Sequence, residues 1–166
     1  MISLQILDTK RFMSKLLLSD TFDHFYITEA TITTFNTFII DGHLQKDYYS
    51  TEELENINLA ERSFSYWSQV KPFCLELMKG THTPVNFKIV FQLSAHNTEQ
   101  FLKQTNSNFT PADISGFYLN LRYSGQQLNC ITGTSFHLFT LDKSLDHAWD
   151  DMICKFLKQQ ELSFIE

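Results

Sequence analysis

The sequence predicts an α+β protein built on antiparallel sheet, and three observations carry that prediction. Stretches with an apolar residue at every second position alternate with stretches spaced for helix. Cap and turn signals mark most of the changes from one to the other. One order of elements, strand–helix–strands–helix, recurs: residues 1–58 show it, residues 85–160 show it again, and a helical connection at 59–80 lies between. Such a period is too long for a solenoid, whose repeats span about 20–50 residues. It reads as two half-domains packed into a single domain of residues 1–166, long enough to bury a sizeable core.

The elements follow in order. Ile2, Leu4 and Ile6 alternate with polar neighbours and predict a first strand. Asp8 is an N-cap, and Phe12, Met13, Leu16 and Leu17 give the apolar face of the helix behind it. Phe22 to Ile40 is rich in Phe, Tyr, Ile and Thr, too long for one strand, and divides near Thr33-Thr34. Asp41-Gly42-His43 turns into a third strand, Leu44 to Tyr49, and Ser50-Thr51-Glu52-Glu53 is a capping box that opens a helix. In the connection, Pro72 predicts a kink or a new helix starting near Ser68, with Gly80 as the stop.

The second copy begins with Phe87, Ile89, Phe91 and Leu93 on one face of a strand. Asn97-Thr98-Glu99-Gln100 is a second capping box ahead of Phe101 and Leu102. Phe117 to Leu121 and Leu128 to Thr132 are strands joined at Ser124-Gly125, and Gly133 separates them from another at Phe136 to Leu141. Ser144 caps a last helix whose buried stripe is Trp149, Met152, Ile153, Phe156 and Leu157.

Composition narrows the function classes. The net charge is −6, with 7 basic and 11 acidic residues in 1–83 against 6 and 8 in 84–166, so neither half is a basic nucleic-acid module. No apolar run reaches the roughly 18–20 residues that cross a bilayer, and the N-terminal segment lacks the form of a signal peptide. Cys74, Cys130 and Cys154 make no CxxC pair and no even framework, which fits a reduced, cytoplasmic protein. The 16 phenylalanines fill a core or, in part, an interface with another chain.

The duplicated strand–helix–strand–strand–strand order resembles the domain plan of DNA polymerase sliding clamps. That resemblance implies helices on one side of curved antiparallel sheet and a partner in the replication machinery or nucleic acid. Its basic helix would be the first, through Lys10, Arg11 and Lys15; the second copy offers only Lys103 beside Glu99. The wording of Phe12-Met13-Ser14-Lys15-Leu16-Leu17, of Glu29 to Phe38, of Asp41 to Asp47 and of Leu128 to Thr134 also resembles a small uncharacterised bacterial family of unknown function. That family brings no catalytic residues to carry over.

Chemistry-bearing groups are sparse, and each has a simpler structural reading. Asp146, His147, Asp150 and Asp151 offer i,i+4 pairs on one helix, yet a solvated face near a helix N-terminus accounts for them without a metal. Cys130 and His137 on successive strands are a candidate nucleophilic pair, against the commoner buried cysteine and edge histidine. No GxGxxG, GxxxxGK[ST] or GxSxG occurs. The tail Gln159-Gln160-Glu161-Leu162-Ser163-Phe164 has the Q-x-x-L-x-F shape of clamp-docking peptides; the plainer reading packs Leu162 and Phe164 at a helix end.

The expectation is a non-catalytic interaction protein without cofactor or metal, a homo-oligomer or the partner of another protein. Its contacts would be Lys10, Arg11, Lys15, Leu162 and Phe164. The competing expectation is an enzyme or small-ligand binder with a pocket between the half-domains, using Tyr118, Cys130 and His137.

Overall fold

The computed structural model describes residues 1–56 and 59–166, and its elements form one antiparallel sheet with helices packed on one face. In chain order these are β1 (Ser3–Ile6), α1 (Thr9–Leu18), β2 (Tyr26–Thr33), β3 (Thr37–Asp41), α2 (Thr51–Asn56), β4 (Ser65–Tyr66), α3 (Trp67–Met78), β5 (Asn86–Gln92), α4 (Ala95–Gln104), β6 (Ile114–Ser124), β7 (Gln127–Phe136), α5 (Ser144–Gln159) and β8 (Phe164–Ile165). The strand order is β3-β2-β5-β6-β7-β1-β8, and β4 pairs with β2 beyond the end of β3. The α+β class and the antiparallel pairing are thus those read from the sequence. The β–α–β–β order does occur twice, but its strands share one sheet, with β1 on the far side of β7 from β2 and β3.

Alternation fixes the two faces. Leu4 and Ile6, Leu128 and Cys130, Phe117, Leu119 and Leu121, Phe87, Ile89 and Phe91, and Ile27, Ala30 and Ile32 all lie buried beneath the helices. The helices answer with Phe12 and Leu16 (α1), Trp67 and Cys74 (α3), Phe101 and Leu102 (α4), and Trp149, Ile153 and Leu157 (α5). At about 1.5–3 kcal/mol per fully buried large side chain, this one-sided burial is the main source of stability. The two indoles are satisfied where they are buried: Trp67 Nε1 donates to the Leu16 carbonyl and Trp149 Nε1 to that of Tyr118, both at 2.9 Å.

Local signals explain most boundaries. Asp8 accepts from the Arg11 amide at 2.9 Å, and Ser50 and Glu53 exchange bonds as a capping box at 3.1 and 2.7 Å. The end of that helix, expected at 58, lies outside the described residues. The β6–β7 hairpin turns on Gly125 (φ 57°) and Gln126 (φ 64°), the paired positive values of a type I′ turn. Helix α3 begins at Trp67, beside the new start expected near Ser68, and carries Pro72 within it.

Several expectations need correction. Residues 44–49 are not a strand; Lys46–Tyr48 is a single 3₁₀ turn. The place beside β2 beyond Asp41 is taken by β4, through Tyr26–Tyr66 and Ile27–Ser65. Gly42 marks the crossing, because a Cβ there would come within 1.8 Å of the Ile27 carbonyl oxygen. Nor does Gly133 end a strand. Strand β7 runs through it to Phe136, after which the chain leaves the sheet, since β1 already holds the other edge of β7. Helix α4 is capped by Ser94, which accepts from the Asn97 amide, rather than by Asn97. Asp142, not Ser144, supplies the side-chain acceptor at the start of α5.

Phe22 is fully buried, with the rings of Phe12, Phe91 and Phe156 at 5.4–5.6 Å. Phe22→Ala is expected to cost about 3–5 kcal/mol in urea unfolding. Phe139→Ala, at a ring 88% exposed, should change stability by no more than about 0.5 kcal/mol.

Candidate functional site

The residues singled out in the sequence do not converge. Lys10 and Arg11 stand exposed on α1 and Lys15 is half-buried, and Arg11 is engaged by Glu161 at 2.5 Å. Leu162 is 2% exposed and belongs to the core, so it is not a free docking anchor. Phe164 sits in β8 opposite Ile6, with the Lys158 ammonium 5.8 Å above its ring. The tail that resembles a docking peptide is therefore packed into its own fold, with Leu162 in the core and Phe164 in the last strand.

The alternative set is divided by the sheet itself. Cys130 is sealed on the helix-covered face, and burial pushes its thiol far above the ordinary cysteine range. Tyr118 lies on the open face in a row with Gln92 and Tyr26 of the neighbouring strands. Its ring covers Gly116, where a Cβ would stand 2.8 Å from Tyr118 Cζ. His137 is exposed, with Nδ1 3.2 Å from the Ser115 hydroxyl. Burial raises the Tyr118 phenol, which stays protonated at neutral pH and is no base.

The acidic cluster on α5 is not a solvated face throughout. Asp150 is buried, bonded to the Thr132 hydroxyl at 2.5 Å and to the Met1 amino group at 3.1 Å. Asp146 pairs with Lys143 at 3.3 Å. Among the described residues no three His, Cys, Asp or Glu side chains stand close enough together to hold a metal ion.

What the fold does make is a cleft on the helical layer. It lies between α4 and α5 and is closed at one end by the loop between α1 and β2. Phe25, Leu93 and Phe101, each at most 8% exposed, form the floor with Met152 and Phe156. Two adjoining hollows of about 320 and 490 Å³ share Phe101, Gln104, Met152 and Phe156. The rim is polar but carries little charge: Thr21, His24, Asn97, Gln100 and Gln104 along the first hollow, then Thr105, Asp151, Lys155 and Gln159 along the second.

The cleft is lined from both halves of the chain, and Tyr118, Cys130 and His137 are not among its residues. Asn97, Gln100 and Gln104 recur at i, i+3 and i+7, one face of α4. That amide stripe beside Phe101 is the available sequence signal, and it overlaps the capping pattern Asn97-Thr98-Glu99-Gln100. Chemically the site offers apolar surface and amide hydrogen bonds. Among the described residues His24 is the one imidazole on it, and no cysteine lines it.

Comparison with known proteins places the chain in a family. Residues 15–165 match the family of unknown function (DUF5721), and the chain belongs to it. No curated protein and no solved structure matches it.

Burial holds the Cys74 thiol up at about 12 and that of Cys130 higher still, while half-buried Cys154 is raised less. At pH 8, iodoacetamide should therefore modify Cys154 alone in the native protein, and all three cysteines in denaturant. Intact-mass measurement reads the count; fast labelling of Cys130 would contradict its placement.

Proposed function

We propose that this member of the DUF5721 family is a non-catalytic binding protein that takes an apolar helical segment of a protein partner into the α4–α5 cleft. One observation carries the reading: a concave floor of Phe25, Phe101, Met152 and Phe156 lies open between two helices, under a rim made mainly of amides and hydroxyls. A helix-in-groove mode needs that combination, because apolar anchors supply the affinity and rim amides supply the register. Helix α4 has 10 residues, about 15 Å of wall at 1.5 Å per residue, which matches two to three turns of a docked helix.

Charge supports a protein rather than a nucleic-acid partner. The net charge is −6, Arg11 is engaged by Glu161, and only Lys10 and Lys15 remain of the basic set on α1. The likeness to sliding clamps is kept as an arrangement of elements, without the activity. A reduced cytoplasmic setting, with action as a homo-oligomer or beside a protein partner, belongs to the same proposal. Among the described residues no helix is long and apolar enough to cross a membrane. A second reading, a small-ligand binder, rests on the first hollow alone: about 320 Å³ is within the range of small-molecule sites.

The test is a fluorescent model peptide, helical, with Leu at i, i+3, i+4 and i+7 and uncharged residues elsewhere. Binding should change little with salt, and Met152→Lys should weaken it about tenfold or more without lowering the melting temperature. No binding, or binding indifferent to Met152→Lys, would reject the reading. Native mass spectrometry showing a small molecule retained by the wild type and lost in Met152→Lys would favour the second reading instead.

A further inference from the structure

The two edges of the sheet are treated differently. On one side the sheet ends in β8, only Phe164–Ile165, with Glu161 and Glu166 close by in the chain. A short edge beside charged residues is a guarded one. On the other side it ends in β3, Thr37–Asp41, which pairs with β2 along its whole length. Among the described residues nothing pairs with the outer edge of β3. Along that edge there is no Lys, no Pro and no register shift against β2. Ile39 is 75% exposed, and Phe35 on the preceding turn is 86% exposed, its ring 5.6 Å from that of Phe38. The one charge, Asp41, stands at the end of the strand and is held by His43, through its amide at 3.0 Å and its ring Nδ1 at 2.6 Å.

An unguarded strand of this kind presents alternate N–H and C=O groups to another strand. We propose that β3 is a dimer edge, pairing antiparallel with β3 of a second copy about a two-fold axis at Ile39, so that one sheet runs through both chains. The sequence of the strand is self-complementary in that register. Ile39 meets Ile39 of the second copy, Phe38 meets Ile40, and Thr37 meets Asp41. All five residues pair, and Asp41 faces a hydroxyl rather than its own copy, so no like charges are opposed.

The occupant follows from the same features. A two-fold pairing of β3 with itself closes at two chains, whereas pairing of β3 with β8 would run head to tail into rings or filaments. Only two residues of β8 are available for that. The dimer goes beyond the cleft reading and needs nothing from it, since the cleft is lined by other elements.

Light scattering of the wild-type protein should give twice the 19.4 kDa chain mass, and Ile39→Lys should halve it with the circular dichroism unchanged. Ile165→Lys, at the other edge, should leave the dimer intact. In a Cys154→Ser background, where Cys74 and Cys130 are buried, a short bifunctional maleimide should link Ile39→Cys to itself. It should also link Thr37→Cys to Asp41→Cys when the two are mixed, and leave Asp41→Cys alone unlinked. A wild type that stays at one chain mass overturns the proposal, and so does a dimer that survives Ile39→Lys. The two readings fail separately: Ile39→Lys should keep peptide binding in the cleft, and Met152→Lys should keep the dimer mass.

Discussion

Phe22 lies at the point where the helical layer is joined to the sheet. Its ring touches Phe12 of α1, Phe91 of β5, Phe156 of α5 and Phe25 of its own loop, and Phe91 in turn meets the Trp67 indole of α3 at 5.2 Å. Offset and edge-to-face rings at these separations add about 0.5–1.5 kcal/mol per pair to the burial itself. The loop carrying Phe22 and Phe25 is tied down by Lys71, which bonds the Ser19 carbonyl at 2.9 Å and Asp23 at 2.6 Å. Three helices and the middle of the sheet therefore depend on one aromatic cluster. Two of its members, Phe25 and Phe156, are also cleft floor.

That double role links packing to the proposed function. A floor built from the fold's own aromatic centre is held by neighbours on its inner side, so little ordering entropy remains to be lost on binding. The rim is different in kind, with Gln100, Gln104 and Asp151 exposed on helix surfaces. Rigid apolar anchors below adaptable amides suit recognition. Nucleophilic catalysis by the set read from the sequence would need its nucleophile held beside a base. The thiols of Cys74 and Cys130 are both buried, and Tyr118 is on the opposite side of the sheet from Cys130.

Much of the fold was legible in the sequence where a local rule decides the outcome. The Asp8 cap, the Ser50–Glu53 box, the Gly125 turn and the alternation in β5 all have the same form in the structure. The misreadings arose where long-range competition decides. Residues 44–49 have strand-forming composition, but β4 takes the one free place beside β2. Residues 137–141 meet the same obstacle at β7, whose second edge is taken by β1. The tail looked like a peptide for another protein because it has the Q-x-x-L-x-F shape, but its Leu162 packs into the core and its Phe164 opens β8. The cleft was harder to read, since its floor residues are core residues in every local respect. Only the spacing of Asn97, Gln100 and Gln104 pointed outward from it.

The chain carries four methionines, and they sample different environments. Met152 lines the cleft, Met78 is 7% exposed in the core, Met13 is packed against the core from its margin, and Met1 is 83% exposed. Methyl-labelled NMR during titration with the leucine-striped helical peptide thus reads the central claim directly. The account predicts a progressive shift of the Met152 methyl signal while Met78 and Met1 stay in place. Binding that leaves Met152 unmoved, or that shifts Met1 instead, would contradict it.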